Sequence, residues 1–312
     1  MRIVFCGTPE FAVPSLRRLA AEPGISVEAV ITQPDRPRGR GQRVSNPPVK
    51  EAALEKGIHV YQPETIKSDS AQEFLKRVAP DAIVIIAYGQ IVPARLLTIP
   101  RLGWINLHAS LLPRYRGAAP IHWAIANGET TTGLTTMEID AGMDTGPILL
   151  QHELEIGPDE SAPELSTRMS EIGAALIVDS LRRLDHGEIS PQPQPLENVS
   201  HAPILKKEHG KIEWSRTAHQ IYNRMRGFAP WPGAYTTFRG QTCQLWGRPE
   251  QKAAAGGRIV PGEIVPSTKD VYVVCGEGTC LRLESVQIEG RKRISAREFA
   301  NGAHFTAAER FV

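Results

Sequence analysis

The run AIVIIAY at residues 82–88 has no charged residue and no alternation of polar with apolar side chains, so a strand there must be buried on both faces. A mainly parallel sheet with helices packed on both faces meets that demand. The neighbouring segments supply the other pieces. RIVFCG, SVEAVIT and HVYQ read as strands, whereas PEFAVPSLRRLAAE, VKEAALEKG and AQEFLKRVA read as helices. Further on, WINLH, TGLTTMEI and PILLQHELEI are strand-like. PIHWAIANG and the long ELSTRMSEIGAALIVDSLRRL have helical spacing. The expected fold class is α/β: a Rossmann-like, mainly parallel sheet between helices.

Near residue 190 the texture changes. GEISPQPQPLENVSHAPILKKEHG has prolines at 191, 193, 195 and 203, which excludes a helix or a central strand and predicts a stiff, extended connection. One amphipathic helix, RTAHQIYNRMRGF, follows. Then come short strand-like runs between Gly and Pro: AYTTF, CQLWG, GEIVP, VYVVCG and CLRLESVQI. Such spacing predicts a small barrel or sandwich. The expected organisation is a catalytic domain at 1–189, a linker at 190–208 and a barrel at 209–312. A chain of 312 residues fits two domains. The formal charge of +2 hides an asymmetry. Residues 1–189 carry 19 Lys/Arg against 23 Asp/Glu, and residues 190–312 carry 17 against 11. A basic second half suits a polyanionic partner, although modest surface imbalances are common.

The stretch WINLHASLLPRYRGAAP places Asn106 and His108 two positions apart at the end of an apolar strand, on one face of it. A buried polar pair without partners costs roughly 1–3 kcal/mol per group, so this pair calls for a function. Open α/β sheets bind ligands where their strands end. The segment MEIDAGMDTGPI adds Asp140 and Asp144 beside Gly142 and Gly146, in a loop that can hold a carboxylate over the sheet edge. A plain Gly/Asp turn is the competing reading for Asp140, and for Asp144 taken alone it is the default. Asn, His and Asp together suit attack on an acyl carbon without an enzyme nucleophile. Amide and imidazole donate to the oxygen that becomes negative, and the carboxylate orients the ring and helps move the proton of an attacking amine. No Ser or Cys sits in a nucleophile elbow. Cys6, Cys243, Cys275 and Cys280 form no CxxC pair and no His cluster has zinc spacing, so no metal is expected. The chain opens directly on RIVFCG and has no apolar run near the ~18 residues of a membrane span, which reads as a cytoplasmic protein without a membrane partner.

Residues 32–50, TQPDRPRGRGQRVSNPPVK, carry Arg36, Arg38, Arg40 and Arg43 on a Gly/Pro loop at a strand end. A solvated charge run is the usual meaning of such a pattern. Its place beside the active edge favours phosphate contacts, with ordering on binding.

The runs INLHASLLPRYRGAAPIHWAI and GLTTMEIDAGMDTGPIL closely resemble the formyltransferases that use 10-formyltetrahydrofolate. That resemblance implies a catalytic trio of Asn106, His108 and Asp144. It implies folate contacts from Ser110, Leu111, Leu112 and Pro113, with Tyr88 and Gly89 of AYGQI and the Asp140 loop lining the pterin pocket. The start RIVFCGTPEFAVPSLRRL, the arginine loop and WSRTAHQIYNRMRGFAPWPGAYTTF extend the likeness over the whole chain, to the branch of the family that formylates methionine on initiator tRNA. The implied partners are that methionyl-tRNA and the folate, bound by a monomer, with Arg36, Arg38, Arg40, Arg43, Lys206, Lys207 and a basic, OB-like β-barrel holding the tRNA. Rival readings are a formyltetrahydrofolate hydrolase, a small-amine formyltransferase, and an RNA-binding module without catalysis.

Overall fold

The structure, a computed structural model, describes residues 1–38, 43–250, 260–267, 270–306 and 309–312. It contains two compact units. The first comprises Met1–Pro120, Thr131–Glu155 and Glu164–Pro203, the second Ile121–Thr130, Ile156–Pro163 and Ile204–Val312.

In chain order, the first unit begins with β1 (Arg2–Gly7), α1 (Val13–Ala21), β2 (Ser26–Ile31) and a short hairpin of β3 (Arg36–Arg38) and β4 (Arg43–Ser45). Next come α2 (Pro48–Glu55), β5 (Val60–Tyr61), α3 (Asp69–Val78), β6 (Ala82–Ile86), α4 (Ala94–Leu97) and β7 (Trp104–His108). After α5 (Pro120–Ala126) the chain adds β8 (Thr131–Glu138), β9 (Ile148–Glu155) and the long α6 (Ala162–Asp185). The sheet order is β5-β2-β1-β6-β7-β8-β9. The first five strands are parallel, whereas β8 and β9 run antiparallel to their neighbours. The chain leaves β1 for β2 and β5, then crosses to β6 on the other side, so the topological switch lies between β1 and β6.

Both sheet faces are covered, as the apolar run required: Ile3, Val4, Ile83, Val84 and Ile86 are all fully buried. Val4, Cys6, Ile83, Tyr88 and Trp104 pack with Leu75 of α3 and Leu96 of α4. On the opposite face Gly173 of α6 lies against Leu107, and a β-carbon there would come 2.6 Å from the leucine side chain. By strand alternation, α6 takes the Ile105/Leu107 face of β7 and leaves Asn106 and His108 on the other. No helix among the described residues is long and apolar enough to cross a membrane.

Residues 190–203, extended apart from a turn at 196–198, are stitched into the first unit. Gln192 exchanges two backbone hydrogen bonds with Ile148, and Ala202 donates to the Arg116 carbonyl at 2.7 Å.

The second unit adds α7 (Ala218–Gly227), β10 (Tyr235–Phe238), β11 (Gln241–Glu250), β12 (Ile264–Pro266), β13 (Val271–Val274), β14 (Cys280–Ile288), β15 (Ile294–Ser295) and α8 (Ala296–Ala303). Its antiparallel sheet runs β10-β11-β14-β13-β12, with β15 on β14. The chain end curls this sheet towards a barrel. Val312 exchanges hydrogen bonds with Thr237 of β10, while the Glu309 carbonyl accepts from Ile264 of β12. One tail thus ties the two outer strands. The core holds Trp214, Phe238, Leu245, Val273, Leu283, Phe299 and Phe311. Gly227 permits the close approach of α7 to α5, since a β-carbon there would lie 2.7 Å from the Ala126 nitrogen. Helix α8, which hydrophobic pattern alone did not announce, starts at a capping box: Ser295 Oγ accepts from the Glu298 N–H, and the Glu298 carboxylate from the Ser295 N–H.

Candidate active site

His108 ends β7, opposite Thr135 of β8, and is 6% exposed. Its Nε2 lies 3.0 Å from the Tyr115 carbonyl oxygen. A carbonyl only accepts, so Nε2 carries a hydrogen and Nδ1 is the atom left facing the site. Nδ1 lies 3.8 Å from Asp144 Oδ2. The same carboxylate oxygen accepts the Gly117 N–H at 2.7 Å. Ring and carboxylate are therefore each anchored by the main chain of one turn, residues 115–117. The sequence had assigned the orienting of the ring to the carboxylate; here the Tyr115 carbonyl holds it.

Asp144 (φ 53°) and Tyr115 (φ 58°) both occupy the left-handed region. For residues with a β-carbon this costs on the order of 1 kcal/mol or more, unless the surroundings impose it. They do so here. Gln194, from the extended 190–203 segment, donates to the carbonyls of Asp144 (2.9 Å) and Gly146 (2.8 Å). Its own carbonyl accepts from Arg116 Nε (3.1 Å) and Nη2 (2.6 Å). Ser200 Oγ accepts the Tyr115 N–H at 2.9 Å. Gly146 is required at its position because a β-carbon would fall 1.9 Å from the Glu138 carbonyl oxygen.

Asn106 sits between Ile85 of β6 and Met137 of β8. It is half-buried, and its amide makes no side-chain hydrogen bond among the described residues. An unpartnered amide two residues from the His108–Asp144 couple is a donor open to a ligand. Asp140 does local work: its carboxylate accepts from the Gly142 N–H (2.9 Å) and from the Thr145 hydroxyl (2.8 and 2.9 Å). That arrangement shapes the loop carrying Asp144.

The turn after β7 is held on β8 by Thr135. Its hydroxyl donates to the Ser110 carbonyl (2.7 Å) and accepts from the Leu112 N–H (3.1 Å) and Gln151 Nε2 (3.0 Å). Ser110, Leu112 and Pro113 are buried, Leu111 is half-exposed, and the Ser110 hydroxyl donates to the Arg114 carbonyl at 2.6 Å. Tyr88 is buried as well, and desolvation pushes its phenol well above the usual range. Thr8 and Gln33 donate to its carbonyl, each at 3.1 Å.

At the switch point, where β1 and β6 end, a cleft of about 470 Å³ is walled by Thr8, Gln33, Ala87, Tyr88 and Gly89 on one side and by Arg36 and Ser45 of the hairpin on the other. It brings two residues expected at the folate together with one expected at the tRNA. Arg36 is exposed, and its side chain has no partner among the described residues. Beside it, Asp35 is held below the usual carboxylate range by hydrogen bonds from Gln62 and then Lys50. Arg38 pairs with Arg43 across the hairpin backbone; Arg40 lies outside the described residues. Lys207 is exposed and unpaired among the described residues, whereas Lys206 lies 3.9 Å from Glu208. Among the described residues no three His, Cys, Asp or Glu side chains cluster as a metal site would require.

A Rossmann-like unit with a His–Asp couple and a free amide at a strand end defines an acyl-transfer class of site, and comparison with known proteins places the chain within that class. Residues 1–181 match the formyl transferase family and residues 204–304 match the formyl transferase C-terminal domain, so the chain belongs to the formyl transferase family. Similar relatives carry a more specific name. A methionyl-tRNA formyltransferase of Solibacter usitatus is 51% identical over 311 residues, covering 99% of this chain and 98% of the relative. One of Geobacter metallireducens is 50% identical over 303 residues, covering 97% and 96%. Among solved structures, the N-formyltransferase of Helicobacter canadensis in complex with folinic acid and dTDP-3-aminofucose matches with a TM-score of 0.65 at 18% identity, covering 90% of this chain and 98% of that one. A sugar 3N-formyl transferase with dTDP and 5-N-formyl-THF matches at 0.64 and 19%, covering 94% and 99%. These two likenesses concern the fold.

Proposed function

We propose that this chain transfers the formyl group of 10-formyltetrahydrofolate to the α-amine of methionine esterified to initiator tRNA. The folate supplies a formyl carbon carried on nitrogen; the chain's residues bind, orient and move protons. The half-buried, unpartnered amide of Asn106 beside the His108–Asp144 couple carries this reading. Asn106 Nδ2 and His108 Nδ1, once protonated, donate to the formyl oxygen as it becomes negative, which is where preorganised donors lower a barrier most. Asp144 Oδ2 balances the charge on the ring and receives the proton lost by the attacking amine. The amine nitrogen bonds to the formyl carbon, the bond from that carbon to the folate nitrogen breaks as the carbonyl re-forms, and the folate nitrogen takes up the proton held on Asp144 to leave as a neutral amine.

Ser110–Pro113, Tyr88, Gly89 and the Asp140 loop hold the folate. Residues 1–189 carry the chemistry. Arg36, Arg38, Arg40 and Arg43, the 190–208 segment with Lys206 and Lys207, and the basic 209–312 domain hold the tRNA. In this reading the chain acts as a cytoplasmic monomer. Formyl transfer measured with initiator methionyl-tRNA, elongator methionyl-tRNA and no tRNA tests it. Transfer confined to the initiator is expected; formate release without an acceptor would instead identify a hydrolase.

A further inference from the structure

Trp231 is 55% exposed on the second unit, whose other Phe, Tyr and Trp side chains are all buried or half-buried. An exposed indole fixed in place stands out more than an exposed aliphatic side chain. Its turn is firmly built. Phe228 is fully buried, packed edge-on to Trp123 at 5.2 Å and capped by the Arg224 guanidinium at 4.9 Å. The Gly233 N–H donates back to the Phe228 carbonyl at 2.9 Å, with Gly233 at φ 72° closing the turn. Pro230 and Pro232 flank the tryptophan and fix φ on either side. The indole therefore projects to solvent from a backbone that is fixed in place.

Beside it lies a groove of about 320 Å³ lined by Trp231, Tyr235, Gln244, Gln287, Glu289 and Lys207. Tyr235, Gln244 and Gln287 form one row across β10, β11 and β14. The Gln244 amide has no side-chain partner among the described residues. Gln287 donates through Nε2 to the Arg291 carbonyl at 3.0 Å, which leaves its own carbonyl to accept. The turn after β14 carries Arg291, Lys292 and Arg293, all exposed. Arg293 stacks over Trp246 at 3.8 Å, while Arg291 and Lys292 have no side-chain partner among the described residues.

We propose that this groove binds one unpaired nucleotide of the tRNA, its base stacked on Trp231. This inference rests on the tRNA acceptor proposed above. An indole face suits any base, and the Gln244 and Gln287 amides offer donors and acceptors to a base edge. Glu289 accepts from a base amino group or a ribose hydroxyl and disfavours a bare phosphate. Lys207 and the 291–293 turn supply the charge for the flanking phosphates. The combination of aromatic face, amides, one carboxylate and cations fits a nucleoside within a strand better than an apolar protein anchor.

Equilibrium binding of initiator tRNA across a salt series tests the assignment in the wild type and in the Trp231→Ala, Trp231→Phe and Lys207→Ala variants, with tryptophan emission as a second readout. Trp231→Ala is expected to weaken binding about tenfold without changing the salt slope. Trp231→Phe should restore binding to within about threefold, because a ring remains to stack on. Lys207→Ala should instead reduce the slope by about one. Quenching of emission by tRNA should be smaller in Trp231→Phe. Binding by Trp231→Ala within about twofold of a wild type that does bind and formylate tRNA would overturn the stacking site and leave the acceptor intact. No tRNA binding by the wild type would overturn both.

Discussion

The turn that presents Asp144 and the hairpin that presents Arg36 lie in the same unit and are built in opposite ways. Asp144 is pinned through its carboxylate by Gly117, through its carbonyl by Gln194 and through its loop by Asp140. Arg36 has an exposed side chain without a partner among the described residues, on a two-strand hairpin whose paired backbone bonds are its own. Stabilising a developing charge needs donors fixed within a fraction of an ångström. Attracting a polyanion needs charge in the right region, and freedom costs little there. On the function proposed above, the built turn does the chemistry and Arg36 takes part in the capture.

The largest effect should come from removing the chemistry. His108→Ala and Asp144→Asn are each expected to lower turnover by roughly 10²–10⁴-fold with tRNA affinity retained, measured by steady-state formylation beside equilibrium binding. Gly146→Ala attacks the turn without touching a functional group. The clash with Glu138 should cost about 1–3 kcal/mol in denaturant unfolding and take most of the turnover with it. Gln194→Ala leaves the fold standing but frees the Asp144 backbone. A loss of about tenfold in turnover with little change in KM for tRNA is expected, and an unchanged turnover would show that the turn holds itself.

The smallest effect belongs to a residue outside both regions. Asp81 accepts the Arg2 N–H at 2.7 Å and the Arg101 guanidinium at 2.9 Å, and the first of these chiefly holds its carboxyl below the usual range. A carboxyl whose native pKa is depressed stabilises the fold above its unfolded pKa, and that stability is lost as pH falls through the native value. Asp81→Asn should therefore lower Tm at neutral pH, and the gap to the wild type should close on acidification, with catalysis and tRNA binding unaffected. A gap independent of pH would contradict the cause given.

Local pattern made the sheet and the Asn106–His108 pair legible, whereas Asp144 was singled out from Asp140 by the family resemblance. AIVIIAY demanded burial on both faces, and the two-residue spacing of Asn106 and His108 put them on one face. What local pattern could not reveal depends on pairs far apart in the chain. Gln194 reaches Asp144 from 50 residues away, and Ser200 reaches Tyr115 from 85. The tail that ties Thr237 to Ile264 has no periodicity to betray it. Thr135 stood in plain sight as one of four threonines in a largely buried strand, a hint that something nearby had to be hydrogen-bonded. Helix α8 had its own signal in the Ser295–Glu298 spacing.

One measurement tests the division of labour most directly: kcat and KM for initiator methionyl-tRNA, side by side in Asp144→Asn and Arg36→Ala. The account predicts that Asp144→Asn loses kcat at nearly unchanged KM. Arg36→Ala should keep kcat and raise KM about two- to fourfold, with a shallower salt dependence. The reverse pattern, with KM lost in Asp144→Asn or kcat lost in Arg36→Ala, would contradict it.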